Sequence, residues 1–354
     1  MERLHIAFFG PANSGKSTLV NALAGQEVSL VSPVPGTTTD PVRKAIELPG
    51  LGPCVLIDTA GLDDAGELGP ERTRLTRRIL DETDVAVLVG DPTPDLTGGL
   101  QTAGIPVVSY ERGQSIKSLL ERIAAALPKE EERFLTGNLV KAGDKVLLVM
   151  PQDSEAPKGR LILPQVQVLR ELLDRGCVPV CCTPESLPDA MKSITPNLVI
   201  TDSQVFKLVN RTIPPEWPLT SFSILLAASK GDIRVFVEGA GAIGRLKDGD
   251  RVLIAEACTH VPDTEDIGRV KIPALLRKKA ELSIDIAAGN DFPEDLSAYS
   301  LIIHCGACVA NSTLVRSRIR KALLAGVPIT NYGIAIAQLQ GMLERVEIPR
   351  LSSE

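Results

Sequence analysis

The chain is short of several things at once. Only 3% of its 354 residues are aromatic, which leaves little material for platforms on which bases stack. No Lys/Arg block interrupts a net charge of −6. The basic footprint of a nucleic-acid partner is therefore missing, and no such partner is expected. No apolar run reaches the ~18–20 residues of a membrane span, so no membrane association is expected. Met1-Glu2-Arg3-Leu4-His5 leads straight into an apolar segment without the pattern of a secretory leader, and the expected location is cytoplasmic. Seven cysteines are too few for a disulfide scaffold and are expected as thiols or metal ligands. No repeat and no low-complexity tract stands out. There are three histidines, His5, His260 and His304, and the last two lie beside cysteines.

What remains is ordinary globular composition, 44% apolar and 23% charged, in a length that suits two or three domains. Short apolar runs alternate with helical patterns throughout. The expected fold class is α/β, as three α/β domains with mainly parallel sheets, the first a P-loop NTPase fold. The first domain, shortened, is expected over 1–128, a small α/β domain over 136–228 and a third α/β domain over 229–354. The charged run Pro128-Lys129-Glu130-Glu131-Glu132-Arg133 reads as a linker or a solvated helix end.

Gly10-Pro-Ala-Asn13-Ser14-Gly15-Lys16-Ser17 fits the phosphate-loop pattern in full, between a strand at Leu4–Phe9 and a helix from Lys16. Glycines let backbone N–H groups curl around phosphate oxygens, and the helix N-terminus adds a favourable dipole. Lys16 is expected to reach the β and γ phosphates and Ser17 to ligate Mg²⁺, with Ser14 and Thr18 completing the cradle. Gly36-Thr37-Thr38-Thr39-Asp40 resembles a first switch, in which Thr38 completes the Mg²⁺ shell. Asp58-Thr59-Ala60-Gly61 resembles a second, in which Asp58 holds the metal through water and the Gly61 N–H meets the γ-phosphate. Together the three pieces resemble a small GTPase of the Era/TrmE type, binding GTP. Asn13 matches members of that group activated by K⁺, and fits a plain turn residue equally well. Lys16, Thr38 and Gly61 carry the expected catalysis. No residue stands out as a base for water attack, so hydrolysis should be slow. The Asn-Lys-x-Asp tetrapeptide that reads guanine occurs nowhere. Ile105-Pro-Val-Val108 resembles the start of the strand before it, and Ser109-Tyr-Glu-Arg-Gly113 resembles the last base-contacting loop, as though the stretch between them were gone.

Cys258-Thr-His260 and His304-Cys305-Gly-Ala-Cys308 each end an expected strand. Ligand sites in parallel sheets form beyond the C-terminal strand ends, so both groups should meet at one edge. Three Cys with one or two His fit an iron–sulfur cluster with an unusual fourth position and fit structural zinc equally well. Cys54, Cys177, Cys181 and Cys182 read as small hydrophobes. Gly239-Ala-Gly241-Ala-Ile-Gly244 spells a dinucleotide fingerprint, but no useful helix follows it and a helix could run through it, so it is set aside.

A loop-type GTPase, a small α/β domain and a C-x-H…H-C-x-x-C domain, in that order, resemble the HydF family of FeFe-hydrogenase maturation GTPases. Asp266-Ile-Gly-Arg-Val-Lys-Ile-Pro273 and Gly326-Val-Pro-Ile-Thr-Asn-Tyr-Gly333 extend the resemblance over nearly the whole chain. It implies a 4Fe–4S cluster on Cys258, Cys305 and Cys308, with an exchangeable fourth position open to His260 or His304. It also implies a homodimer through the middle domain. The family acts as a scaffold that receives a di-iron precursor from radical-SAM maturation enzymes and hands it to apo FeFe-hydrogenase. Two other readings stand beside it: an Era-like GTPase with a structural zinc domain, and a cluster scaffold whose nucleotide domain has lost its activity.

Overall fold

The computed structural model describes residues 2–26, 41–59, 69–128, 134–152, 158–257, 266–289 and 291–350. The chain forms two compact units, residues 1–130 with 311–317, and residues 131–310 with 318–354. Among the described residues no helix is long and apolar enough to cross a membrane.

The first unit runs β1 (Leu4–Phe9), α1 (Lys16–Ala24), β2 (Val42–Leu48), β3 (Gly52–Asp58), α2 (Gly69–Glu82), β4 (Val85–Val89), α3 (Pro94–Ala103), β5 (Val107–Tyr110) and α4 (Ile116–Ala126). Its five-stranded sheet has the order β2-β3-β1-β4-β5, parallel except for β2 against β3. β4 throughout, and β1 from Ile6 to Phe9, are apolar runs because helices cover both faces of a parallel sheet. Ile6 and Phe8 pack in one core cluster with Leu19, Val20 and Val87, while Ala7 and Phe9 pack in another with Ile79 and Leu100. The β1–β3 register sets Phe8 beside Asp58. That places Asp58 at the same C-terminal edge from which the Gly10–Ser17 loop leaves β1. β5 passes through Val108 and Ser109 without interruption, with Val107 beside Ala86 and Tyr110 beside Val89. One described strand thus follows β4, and it runs directly into the Ser109–Gly113 loop.

The second unit holds two four-stranded parallel sheets. The first is built from β6 (Lys145–Val149), α5 (Leu163–Asp174), β7 (Val178–Cys182), α6 (Leu187–Ser193), β8 (Leu198–Thr201), α7 (Phe206–Thr212), β9 (Leu219–Ser221) and α8 (Phe222–Lys230). The next contains α9 (Ile233–Ala240), β10 (Arg251–Ala255), α10 (Ile272–Leu276), β11 (Ser283–Ala287), β12 (Leu301–His304), α11 (Ser312–Leu324) from Arg318 onward, β13 (Ile329–Asn331) and α12 (Tyr332–Leu339). The residue-229 boundary therefore falls inside α8.

The two sheets repeat one another. Their orders, β7-β6-β8-β9 and β11-β10-β12-β13, are the same permutation. Gly143-Asp-Lys-Val-Leu-Leu148 opens one first strand and Gly249-Asp-Arg-Val-Leu-Ile254 the other. Pro218-Leu-Thr-Ser-Phe-Ser-Ile224 and Pro328-Ile-Thr-Asn-Tyr-Gly-Ile334 carry the last strand into its helix. In both, the final strand residue caps that helix: Ser221 Oγ accepts from Ile224 N–H, and the Asn331 side chain accepts from Gly333 N–H. The expectation of no repeat is thus corrected. The kinship lies in strand order and in short strings that sequence periodicity does not register.

Gly239 sits inside α9, which passes into a tight turn over Gly241–Arg245. A Cβ at Gly239 would lie 2.0 Å from the Ile329 carbonyl oxygen. The glycine is there so that α9 can lie directly on β13.

Candidate functional site

The phosphate loop has a geometry few sequences permit. A Cβ at Gly10 would lie 2.1 Å from the Val89 carbonyl oxygen, so only glycine lets the loop pass the end of β4. Asn13, with φ 59°, and Gly15, with φ 101°, both turn left-handed. Lys16, the first residue of α1, is buried, and its ammonium donates to the carbonyls of Gly10 (2.8 Å) and Pro11 (2.6 Å). The cation is thus held along the loop. Ser17 Oγ donates to the buried Asp58 carboxylate at 2.6 Å. A hydroxyl and a carboxylate so close form a hard-oxygen pair suited to Mg²⁺. The Ser14 hydroxyl is buried and meets no protein partner among the described residues, which suits a loop built to receive phosphate oxygens. Asn13 and Thr18 are exposed at the rim. Thr59 anchors the strand end by donating to the Phe8 carbonyl at 2.6 Å. Thr38 and Gly61 lie outside the described residues.

Arg112 lies in the loop that the sequence likens to the last base-contacting one, although the residue itself is not singled out there. It follows β5 on the Ser109–Gly113 loop, and its guanidinium nitrogen lies 3.3 Å from where a Cβ of Gly15 would be. That brings a second cation to the mouth of α1. Nothing in the spacing of Ser109-Tyr-Glu-Arg112 marks it, because the contact joins residues almost a hundred apart.

The second candidate site lies at the end of β12. Cys305 and Cys308 are both partly exposed. Cys305 Sγ accepts N–H groups from Ala257 (3.1 Å) and Ala307 (3.3 Å). Two amides aimed at one sulfur favour a thiolate, the form that binds iron or zinc. Ala257 is the residue before Cys258, so the chain leaving β10 reaches Cys305. Cys258 and His260 themselves lie outside the described residues. Among the described residues no group of three metal-ligating side chains assembles. The donor set on view, a sulfur already met by two amides with a second thiol three residues on, fits a soft-metal or iron–sulfur centre.

His304, the last residue of β12, turns inward. It is buried, its Nδ1 lies 2.7 Å from the Cys305 carbonyl oxygen, and its Nε2 lies 3.1 Å from Arg318 Nη1. A guanidinium can only donate. Nε2 therefore accepts, and Nδ1 carries the proton it gives to Cys305. Burial first, and the Arg318 charge second, push its pKa down to about 3. Both nitrogens are engaged within the protein. Arg318 also donates to the carbonyls of Glu256 (3.1 Å) and Gly289 (2.5 Å), tying together the ends of β10, β11 and β12. Asn331 adds a second donor to the Cys305 carbonyl at 3.2 Å.

The remaining cysteines are quiet. Burial raises the thiol pKa of Cys54 and of Cys182 to about 11, and both are neutral at ordinary pH. Cys181 and Cys182 border a cavity of about 330 Å³ with Gln165, Thr183 and Ser186.

Three family models cover the chain. Residues 5–135 match a 50S ribosome-binding GTPase model, 135–231 a hydrogen maturase F dimerization domain and 234–348 a hydrogen maturase F tetramerization domain. Among curated relatives, the tRNA modification GTPase MnmE of Methylobacterium sp. (strain 4-46) is 37% identical over 150 residues, 35% of this chain and 34% of that one. GTPase Der of Chloroflexus aggregans is 45% identical over 98 residues, 27% of this chain and 22% of that one. The chain therefore spans about a third or less of the length of these relatives. Among solved structures, Era of Aquifex aeolicus is matched at 16% identity over 83% of this chain and 97% of that one, with a TM-score of 0.27. A likeness that loose adds nothing to the fold seen directly. The two maturase models, in order behind a GTPase domain, decide the matter: the chain belongs to the HydF family of hydrogenase maturation GTPases.

Proposed function

We propose that this protein is a scaffold for assembly of the FeFe-hydrogenase active site (the H-cluster). In this reading it carries a 4Fe–4S cluster on Cys258, Cys305 and Cys308. A di-iron precursor is its cargo, taken from radical-SAM maturation enzymes and delivered to apo-hydrogenase in the cytoplasm. The observation that carries the reading is Cys305, whose sulfur accepts two backbone N–H groups, one of them from the neighbour of Cys258. With His304 occupied, the fourth position falls to His260 or to an exchangeable ligand. An open position suits a cluster on which cargo must dock. The maturase dimerization domain supports a homodimer, and β7 is an edge strand of its sheet.

The GTPase domain implies GTP and Mg²⁺. In the proposed roles, Lys16 turns from the loop carbonyls to the β and γ phosphates, and Ser17, Thr38 and Asp58 serve the metal. Gly61 meets the γ-phosphate, and Asn13 serves a K⁺ ion. Hydrolysis would then reset the switch segments, an order–disorder device known in such domains. Arg112 is assigned to the nucleotide as well, since it shares the mouth of α1 with the phosphate loop.

The test is anaerobic reconstitution with iron and sulfide in competition with zinc, followed by metal analysis and EPR. A cluster signal from the reduced chain supports the reading, whereas stoichiometric zinc without a cluster defeats it. A second reading, a scaffold whose nucleotide domain no longer turns over, is favoured by one observation. The described sheet ends at β5, and no guanine-reading tetrapeptide exists in the chain. GTP and ATP turnover measured beside Lys16→Ala separates the two. Turnover that disappears in the variant supports the active GTPase.

A further inference from the structure

The loop that carries Cys305 and Cys308 is held from below by a residue no motif marks. Lys230 ends α8 and is only 4% exposed. Lysine is almost never buried so deeply unless its donors are satisfied. Its ammonium donates to the carbonyls of Ala307 (2.5 Å) and Ala310 (2.7 Å) and lies 3.4 Å from that of Cys308. An ammonium has three N–H donors, and here three carbonyls of one short loop converge on it. Ala307 is left-handed, with φ 49°, a conformation a non-glycine residue adopts only when its surroundings impose it. In that conformation Ala307 turns its N–H to Cys305 Sγ and its C=O to Lys230. One residue thus faces the sulfur on one side and the buried cation on the other.

We propose that Lys230 is the positioning residue of the cysteine loop. It fixes the loop in its sulfur-presenting form and sets an ammonium beneath any iron–sulfur centre bound there. The inference rests on the scaffold reading above. Charge and hydrogen bonding around a cluster are the protein's means of setting its potential, and the groups behind a metal ligand set how firmly the metal is held. Lys230 lies within the stretch matched by the dimerization domain, whereas the cysteines lie within the tetramerization domain. The residue therefore ties the cluster loop to the helix that closes the preceding sheet.

Three variants of the full chain separate its tasks. Lys230→Arg keeps charge and donors, Lys230→Gln keeps donors without charge, and Lys230→Met keeps neither. Each is reconstituted anaerobically with iron and sulfide, then examined for iron loss to a chelator, for the EPR-monitored midpoint under dithionite, and for its melting curve. Lys230→Met should hold iron roughly 10–100-fold more weakly, and Lys230→Arg should stay near wild type. Lys230→Gln should retain a cluster at a midpoint shifted to more negative potential, because a reduced, more anionic centre loses a nearby cation. In the metal-free reduced chain, alkylation of Cys305 should be faster in Lys230→Met than in wild type. That readout needs no cluster. Gln and Met variants with wild-type iron retention, midpoint and alkylation rate would overturn the role of Lys230. A wild-type chain that assembles no cluster would overturn the scaffold reading instead, with the alkylation comparison still deciding whether Lys230 holds the loop. If Lys230→Met does not fold, the Gln and Arg variants decide the question through midpoint and alkylation.

Discussion

Acid should loosen the second unit through His304, and the effect can be given a size. In the folded chain its pKa lies at about 3, against 6.5 for the free side chain, because burial and the Arg318 guanidinium both oppose a second positive charge. Between those values the unfolded chain binds a proton that the folded chain refuses. Stability from this residue is therefore complete above pH ~6.5 and is lost as pH falls towards 3. The slope is about 1.4 kcal/mol per pH unit. Going from pH 7 to pH 5 thus removes about 2 kcal/mol, set against a typical total of about 5–15 kcal/mol. The comparison is His304→Gln, whose amide can donate to the Cys305 carbonyl and accept from Arg318 but cannot titrate. Urea unfolding of both chains at pH 7 and pH 5 isolates the term, since carboxylates common to both cancel. Wild type should lose about 2 kcal/mol more than the variant. Equal losses, or a wild type that gains on acidification, would refute the assignment of His304 as a neutral, buried acceptor.

Other outcomes follow from the same geometry. Gly239→Ala places a Cβ 2.0 Å from the Ile329 carbonyl oxygen and should destabilise the second unit by ~1–3 kcal/mol, seen as a lower melting temperature. Nucleotide binding by the first unit should be unchanged. Arg112→Ala should weaken GTP and GDP binding by about tenfold, the worth of one charge-assisted hydrogen bond. Isothermal titration with an unchanged affinity would remove Arg112 from the site.

Much of the fold was legible because its parallel strands are short apolar runs bounded by turn residues. Leu4–Phe9 stands where the sequence places it, and the strands expected ahead of the two Cys/His groups stand at Arg251–Ala255 and Leu301–His304. β2 was missed because Val42-Arg-Lys-Ala-Ile-Glu-Leu48 alternates and is largely solvent-facing, unlike the buried strands that set the pattern. β9 has only three residues and is too short to read alone. The phosphate loop was fully legible, since its chemistry is local in sequence. The cysteine loop was legible only in part. His304 was grouped with its neighbour Cys305, yet successive residues of a strand face opposite ways. Cys305 turns to the edge, and His304 must then turn into the core. Lys230 and Arg112 act across long sequence separations, and no periodicity or spacing connects them to the loops they touch.

The central claim is that Cys258, Cys305 and Cys308 hold one iron–sulfur centre. The most direct test replaces each of the three by alanine in the full chain, followed by anaerobic reconstitution and determination of iron per chain and the reduced EPR signal. Each single replacement should abolish the stable cluster while leaving the melting curve close to wild type. Retention of the full signal after loss of any one of these thiols would contradict it.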